Sequence, residues 1–154
     1  MKETEVVLQA AGWGRDWAVG TPLLVLTVVV HVIGLGLIRA AFHRGIERRS
    51  RLIRGQLLHF ALVMSVTVLL VTILHVLQAA LWAVTYILSG AAPTAHLAML
   101  YSISAMTTYG HAAVYLDPHW QMLGAMEALN GAILLGLSTA FLYAMIQQAW
   151  PGRK

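Results

Sequence analysis

The chain has 154 residues, of which 59% are hydrophobic and 10% charged, and its mean hydropathy is +0.74. A water-soluble domain of this length has no core large enough to hide so much apolar surface, so the composition points to an all-α integral membrane protein. The absence of Cys excludes disulfides and thiolate-bound metals. The net charge of +4 is concentrated at the ends of apolar runs, which implies a lipid boundary and no nucleic-acid partner.

Residues 1–20 carry Lys2, Glu3, Glu5, Arg15 and Asp16 and read as a short segment on the outer side of the membrane. The apolar run 21–42 that follows is long enough for a first spanning helix, which needs roughly 20 residues. Acidic residues before it, and the lack of a small-residue cleavage pattern after it, argue against a cleaved leader. Residues 43–56 form an Arg-rich linker holding Arg44, Arg48, Arg49, Arg51 and Arg54. Basic connections stay on the cytoplasmic side. This linker and the Arg153–Lys154 end are therefore expected inside, with the amino terminus outside. The linker reads either as a loop that sets topology or as an amphipathic helix on the inner leaflet, drawn to anionic lipid by about 1 kcal/mol per basic residue. Voltage sensing needs several Arg within a span, and only Arg39 approaches one.

Residues 57–150 form the second unit. An outer helix is expected over 57–89 and an inner helix over 122–149, giving three spanning helices in all. The connection between them lacks Lys and Arg and so faces outward. Within it, Pro93 and Thr94 look like a helix start, with Thr able to cap free N–H groups. The stretch "AHLAMLYSISAMTT" then supplies about four helical turns, too short to cross a bilayer. A short helix and a polar, Gly-containing segment between two spans read as a re-entrant pore helix, 94–107, and a loop, 108–112. Irregular backbone at membrane depth survives only where it is buried in protein or lines water. Thr107 and Thr108 close a helix whose carboxyl end carries partial negative charge, and the oxygens of Thr108, Tyr109 and Gly110 are hard donors suited to an alkali cation. One chain cannot close such a ring, so several copies around an axis are required. Trp13, Trp17, Trp82, Trp120 and Trp150 fall near the expected interfaces, where an indole keeps its ring apolar and its N–H wet.

The sequence "YSISAMTTYGHAA" resembles the pore helix and filter of the P-loop potassium channels, particularly the bacterial two-helix type related to the two-pore-domain channels, in which the stretch reads FSxxTxTTVGYGD or a close variant. Tyr101, Ser102, Thr107, Thr108 and Gly110 match without a gap. "HVLQAALWAVTYILSG" resembles the end of the family's outer helix, and "LDPHWQMLGAMEALNGAILLGLSTAFLYAMIQ" its inner helix. The likeness covers about residues 57–148 and leaves the first helix and the Arg-rich linker outside it. It implies a homotetramer in a cell membrane, in bacteria the inner one, that conducts K+ or, less selectively, monovalent cations, with no resident cofactor. Thr107, Thr108, Tyr109, Gly110, His111 and Ala112 would line the ion path. The departures are Tyr109, His111, Ala112 and Ala113, where the family has Val, Tyr, Gly and an acid. Ala112 removes one of the glycines on which the stacked carbonyls of a four-site filter depend. A second alignment shortens the filter by two residues and inserts residues before Trp120.

Several residues around this loop carry readings of their own. His111, at the outer mouth, titrates near physiological pH and would make conduction proton-sensitive, or else bonds a neighbouring pore helix. Glu127 is the only acid within any of the expected spans and would brace the loop by hydrogen bonds to Thr or Tyr, with Asn130 either joining it or facing the cavity. With Tyr101 and Ser102 these form the filter support. Gly131 and Gly136 serve close helix packing or a gating bend. Two other readings remain open: a channel-like subunit that does not conduct, and a b-type cytochrome ligated by His31, His59 or His75. His59 and His75 are sixteen residues apart and so sit on roughly opposite sides of their helix. No nucleophile with a base, phosphate-binding loop or metalloprotease pattern is present, so no enzyme activity is expected.

Overall fold

The computed structural model describes residues 2–49, 56–109 and 115–149, with side-chain surroundings for 13–44, 57–109 and 115–148. The fold is all-helical. Helix α1 spans Lys2–Arg49, α2 Gln56–Leu88, α3 Ala95–Met106 and α4 Gln121–Ala149, with a single 3-10 turn at Pro118–Trp120 before α4. Among the described residues three stretches are long and apolar enough to cross a membrane: Trp13–Arg44, Leu57–Leu88 and Pro118–Gln148. The long helices pack on one another, and the short α3 lies against both α2 and α4.

The inward faces explain the packing. On α1 the buried positions include Asp16, Thr27, His31, Leu35 and Phe42. On α2 they include Thr67, Val71, Gln78, Trp82 and Tyr86, and on α4 Leu123, Glu127, Asn130, Leu134 and Ser138. Each set recurs at helical spacing, and each carries polar groups inward among its apolar ones, while many other Leu, Val and Ile side chains face outward. That arrangement suits a lipid surround, which solvates apolar side chains but not polar ones. Hydroxyls in the spans are largely bonded within their own helix, as Thr67 Oγ1 is to the Val63 carbonyl and Thr139 Oγ1 to that of Leu135.

Two expectations change. The first helix does not begin after residue 20. It runs unbroken from Lys2 through Pro22 to Arg49, because a membrane helix tolerates Pro where neighbouring groups re-satisfy the freed carbonyl. Residues 43–49 thus extend α1, carrying Arg44, Arg48 and Arg49 on the same helix as the first span, while Arg51 and Arg54 lie outside the described residues. The tryptophans also divide. Trp13 and Trp17 are exposed, as interface anchors should be, whereas Trp82 is wholly buried and Trp120 nearly so. Trp82 packs with Tyr86, Tyr101, Leu123 and Met126 in the main apolar cluster, and its indole N–H lacks a hydrogen-bond partner. Bulk and shape at a crowded helix junction outweigh the aromatic-belt preference there.

Candidate functional site

Helix α3 is positioned from both ends. At its start, Thr94 accepts a hydrogen bond from the Leu97 N–H at 3.3 Å, filling one of the donors a helix leaves unpaired. At its end the Thr107 N–H reaches the Ile103 carbonyl at 3.0 Å, the Thr108 N–H reaches that of Ala105 at 3.2 Å, and the Tyr109 N–H reaches that of Ser104 at 3.1 Å. The last two bonds, with Thr108 at φ 56°, make a Schellman termination. The Thr107 hydroxyl bonds the Ile103 carbonyl at 2.7 Å. Thr107, Thr108 and Tyr109 are exposed, Tyr109 at 85%. Gly110, His111 and Ala112 lie outside the described residues.

A buried carboxyl locks α3 between α2 and α4. Glu127 is fully buried and accepts hydrogen bonds from the Tyr86 hydroxyl and from Ser102 Oγ. The Ser102 hydroxyl also lies 2.7 Å from the Ala79 carbonyl, and its one hydrogen can serve only one of the two. The Tyr101 ring stands edge-on to Tyr86, centroids 5.4 Å apart. One turn along α4, Gly131 meets the end of α3 backbone to backbone. A Cβ there would lie 2.5 Å from both the Cα and the carbonyl oxygen of Met106. Gly136, by contrast, has open space around it. Asn130, expected beside Glu127, instead donates to Thr27 Oγ1 on α1 at 2.8 Å, and its Oδ1 is buried without a partner.

The level along α2 at which α3 ends follows from what its end touches. Ile103, Met106 and Thr107 line a cavity of about 330 Å³ with Thr72, His75, Val76 and Ala79 of α2 and Leu135 of α4. From His75 to Leu88 α2 rises about 20 Å at 1.5 Å per residue.

A second polar cluster was not singled out as a unit in the sequence. His31 Nδ1 lies 3.0 Å from Gln78 Oε1 and His31 Nε2 lies 2.9 Å from Ser138 Oγ. His75 Nε2 approaches the same Ser138 Oγ at 3.0 Å, and the Gln78 amide nitrogen donates to the Thr27 carbonyl at 2.9 Å. His59 stands apart from it, with Nε2 buried and unpaired. Near the amino-terminal part of α1, Arg15 donates to the His119 carbonyl at 3.1 Å and stacks 3.6 Å from the centre of the Trp120 ring. Tyr86, Gln78 and Ser138 had a signal available: each is a polar residue on a helical repeat with other inward-facing groups, as in His75, Gln78, Trp82 and Tyr86. Among the described residues no group of three or more His, Asp or Glu is placed to hold a metal ion. No family model, curated protein or solved structure matches the chain.

Proposed function

We propose that the chain is the pore-forming subunit of a tetrameric cation channel, conducting K+ or, less selectively, monovalent cations, with α3 as a re-entrant pore helix and the oxygens of Thr108, Tyr109 and Gly110 as the ion ligands. Its amino terminus is outside and its carboxyl end cytoplasmic. The observation that carries this reading is the depth at which α3 stops. Its end shares a cavity with His75, about 20 Å along α2 from Leu88, in a hydrocarbon layer about 30 Å thick. The N–H groups of Thr107, Thr108 and Tyr109 are bonded within the turn, but three exposed polar residues do not suit lipid at that level, because polar groups left unsatisfied in hydrocarbon cost several kcal/mol each. Sister subunits or a water-filled path would satisfy them, and a cation path supplies both. The likeness of Tyr101–Ala113 to potassium-channel filters supports the same reading. The haem alternative is weaker, since His31 and His75 both turn Nε2 toward Ser138 and neither offers that nitrogen to an iron.

The test is reconstitution of the purified chain in planar bilayers under K+ and Na+ gradients, with the copy number measured by mass in the same lipid. Four copies and a reversal potential that follows the cation gradients are the expected result. A monomer, or membranes with no more cation current than protein-free controls, would overturn the proposal.

A further inference from the structure

We propose that His75, Ser138 and His31 form a proton-binding relay, entered from the cavity between α2, α3 and α4 and holding a single proton, a function that does not depend on whether the chain conducts. The hydrogen-bond directions require it. Gln78 donates its amide N–H to the Thr27 carbonyl, which fixes Oε1 toward His31 and makes His31 Nδ1 the N–H that donates to it. In a neutral pair, His31 Nε2 is then bare and accepts the Ser138 hydroxyl hydrogen, while Ser138 Oγ accepts from the N–H at His75 Nε2. The wire runs from His75 to His31. The remaining nitrogen of His75, Nδ1, forms no hydrogen bond among the described residues, and its ring lines the cavity.

A proton arriving at His75 Nδ1 reverses this wire without breaking it. His75 passes its Nε2 hydrogen to Ser138 Oγ, and Ser138 passes its own hydrogen to His31 Nε2. One proton has been gained, three have moved, no bond of the wire is left unmade, and the new N–H at His75 Nδ1 faces the cavity. His31 then donates from both nitrogens, to Gln78 and to Ser138, and Ser138 donates to His75. A second proton has no such place, because it would set two cationic rings 5.0 Å apart between centroids, both aiming N–H at the one Ser138 oxygen.

Among the described residues the surroundings supply no opposite charge to change that count. From α1 the titratable group facing His75 is His31. Around the cavity α2 adds Thr72, Val76 and Ala79, α3 adds Ile103, Met106 and Thr107, and α4 adds Leu135. Glu127 lies about 16 Å away along α4 and is engaged with Tyr86 and Ser102.

Ring-15N NMR of the histidines in lipid-reconstituted protein, titrated from about pH 8 to about pH 4.5, tests the relay, with signals assigned through His31→Gln and His75→Gln. The expected result is that both rings change together at one midpoint, with one proton gained between them. In Ser138→Ala, which removes the bridge and keeps a small side chain in the helix junction, the common midpoint splits and His31 stops responding. Two independent one-proton titrations in the unmodified chain, no change in either ring, or a shared midpoint that survives Ser138→Ala would each overturn the proposal. The melting temperature of each variant, compared with that of the unmodified chain, separates loss of the relay from loss of the fold.

Discussion

The carboxyl ends of α2 and α3 are built on one backbone plan with two different residues. After α2, Gly90 takes φ 72°, its N–H reaches the Ile87 carbonyl at 3.1 Å and the Ala91 N–H reaches that of Tyr86 at 2.8 Å. After α3, Thr108 takes the same role at φ 56°. Gly enters the left-handed region freely, whereas a side chain there costs about 1–2 kcal/mol. The space around Gly90 is open, so the α2 end is only a turn. The α3 end carries strain, and strained backbone persists where the surroundings over-determine it. Here the surroundings are the Glu127 lock on one side and the Gly131 contact on the other. The difference teaches that α3 is held in place by its flanks, and that the Thr108 backbone yields to them.

Breaking the flanks therefore has the largest effect. Glu127→Ala leaves the buried Tyr86 hydroxyl without its acceptor, while Ser102 keeps the Ala79 carbonyl, and it opens a cavity between the helices. A loss of about 3 kcal/mol is expected, since an unsatisfied buried group costs about 1–3 kcal/mol and the lost packing adds to it. Glu127→Gln, which can accept from Tyr86 and donate to Ser102, is expected to stay within about 1 kcal/mol of the native chain. Equilibrium unfolding in detergent or lipid measures both, and equal losses would show that the lock is not made of these hydrogen bonds. Gly131→Ala comes next. Its methyl meets the Met106 backbone, which cannot swing aside as a side chain can, so a loss of about 2 kcal/mol is expected. Gly136→Ala meets open space and should be neutral or slightly stabilising through helix propensity, by up to about 1 kcal/mol. A Gly136 variant as damaging as the Gly131 one would mean that this open face is covered by another subunit, which the unfolding midpoint's dependence on protein concentration would reveal.

How far these features could be read in advance depends on which physics decided them. Three apolar spans and a short intervening helix were legible because length and hydropathy alone fix them in lipid. The start of α1 was not, since Pro22 signals a beginning in water and is tolerated mid-helix in a membrane. Glu127 stood out as the one acid within the expected spans, whereas Asp16, which the longer α1 brings into its span, is buried too. Ser102 already stood beside Glu127 in the expected filter support, whereas the other partner of that carboxyl, Tyr86, was less visible, because which face of α2 meets α3 is set by three-helix packing. Gln78 and Ser138 were missed for the same reason: a single amide or hydroxyl in an apolar run looks ordinary until the fold brings it to a histidine. The left-handed turn was least legible of all. Sequence logic puts such a turn at glycine, whereas after α3 it is Thr108 that takes it.

The exchange of residues that includes the smallest expected effect, Thr108→Gly, is the most direct test of the contrast between the two helix ends. Exchanging their residues should move stability in opposite directions. Gly90→Thr forces a β-branched side chain into the left-handed region and is expected to cost about 2 kcal/mol. Thr108→Gly removes that strain but adds chain freedom to the unfolded state, so a net gain of only about 0.5–1 kcal/mol is expected, read as a rise in melting temperature. The same substitution deletes the hydroxyl nearest the exposed end of α3. If that oxygen belongs to an ion path, the stabilised variant should conduct with altered cation preference, whereas Thr108→Asn, which tolerates the left-handed region and keeps an oxygen there, should recover part of it. Loss of stability in Thr108→Gly would mean that the hydroxyl is held by a packing partner and that the end of α3 is no more strained than the end of α2.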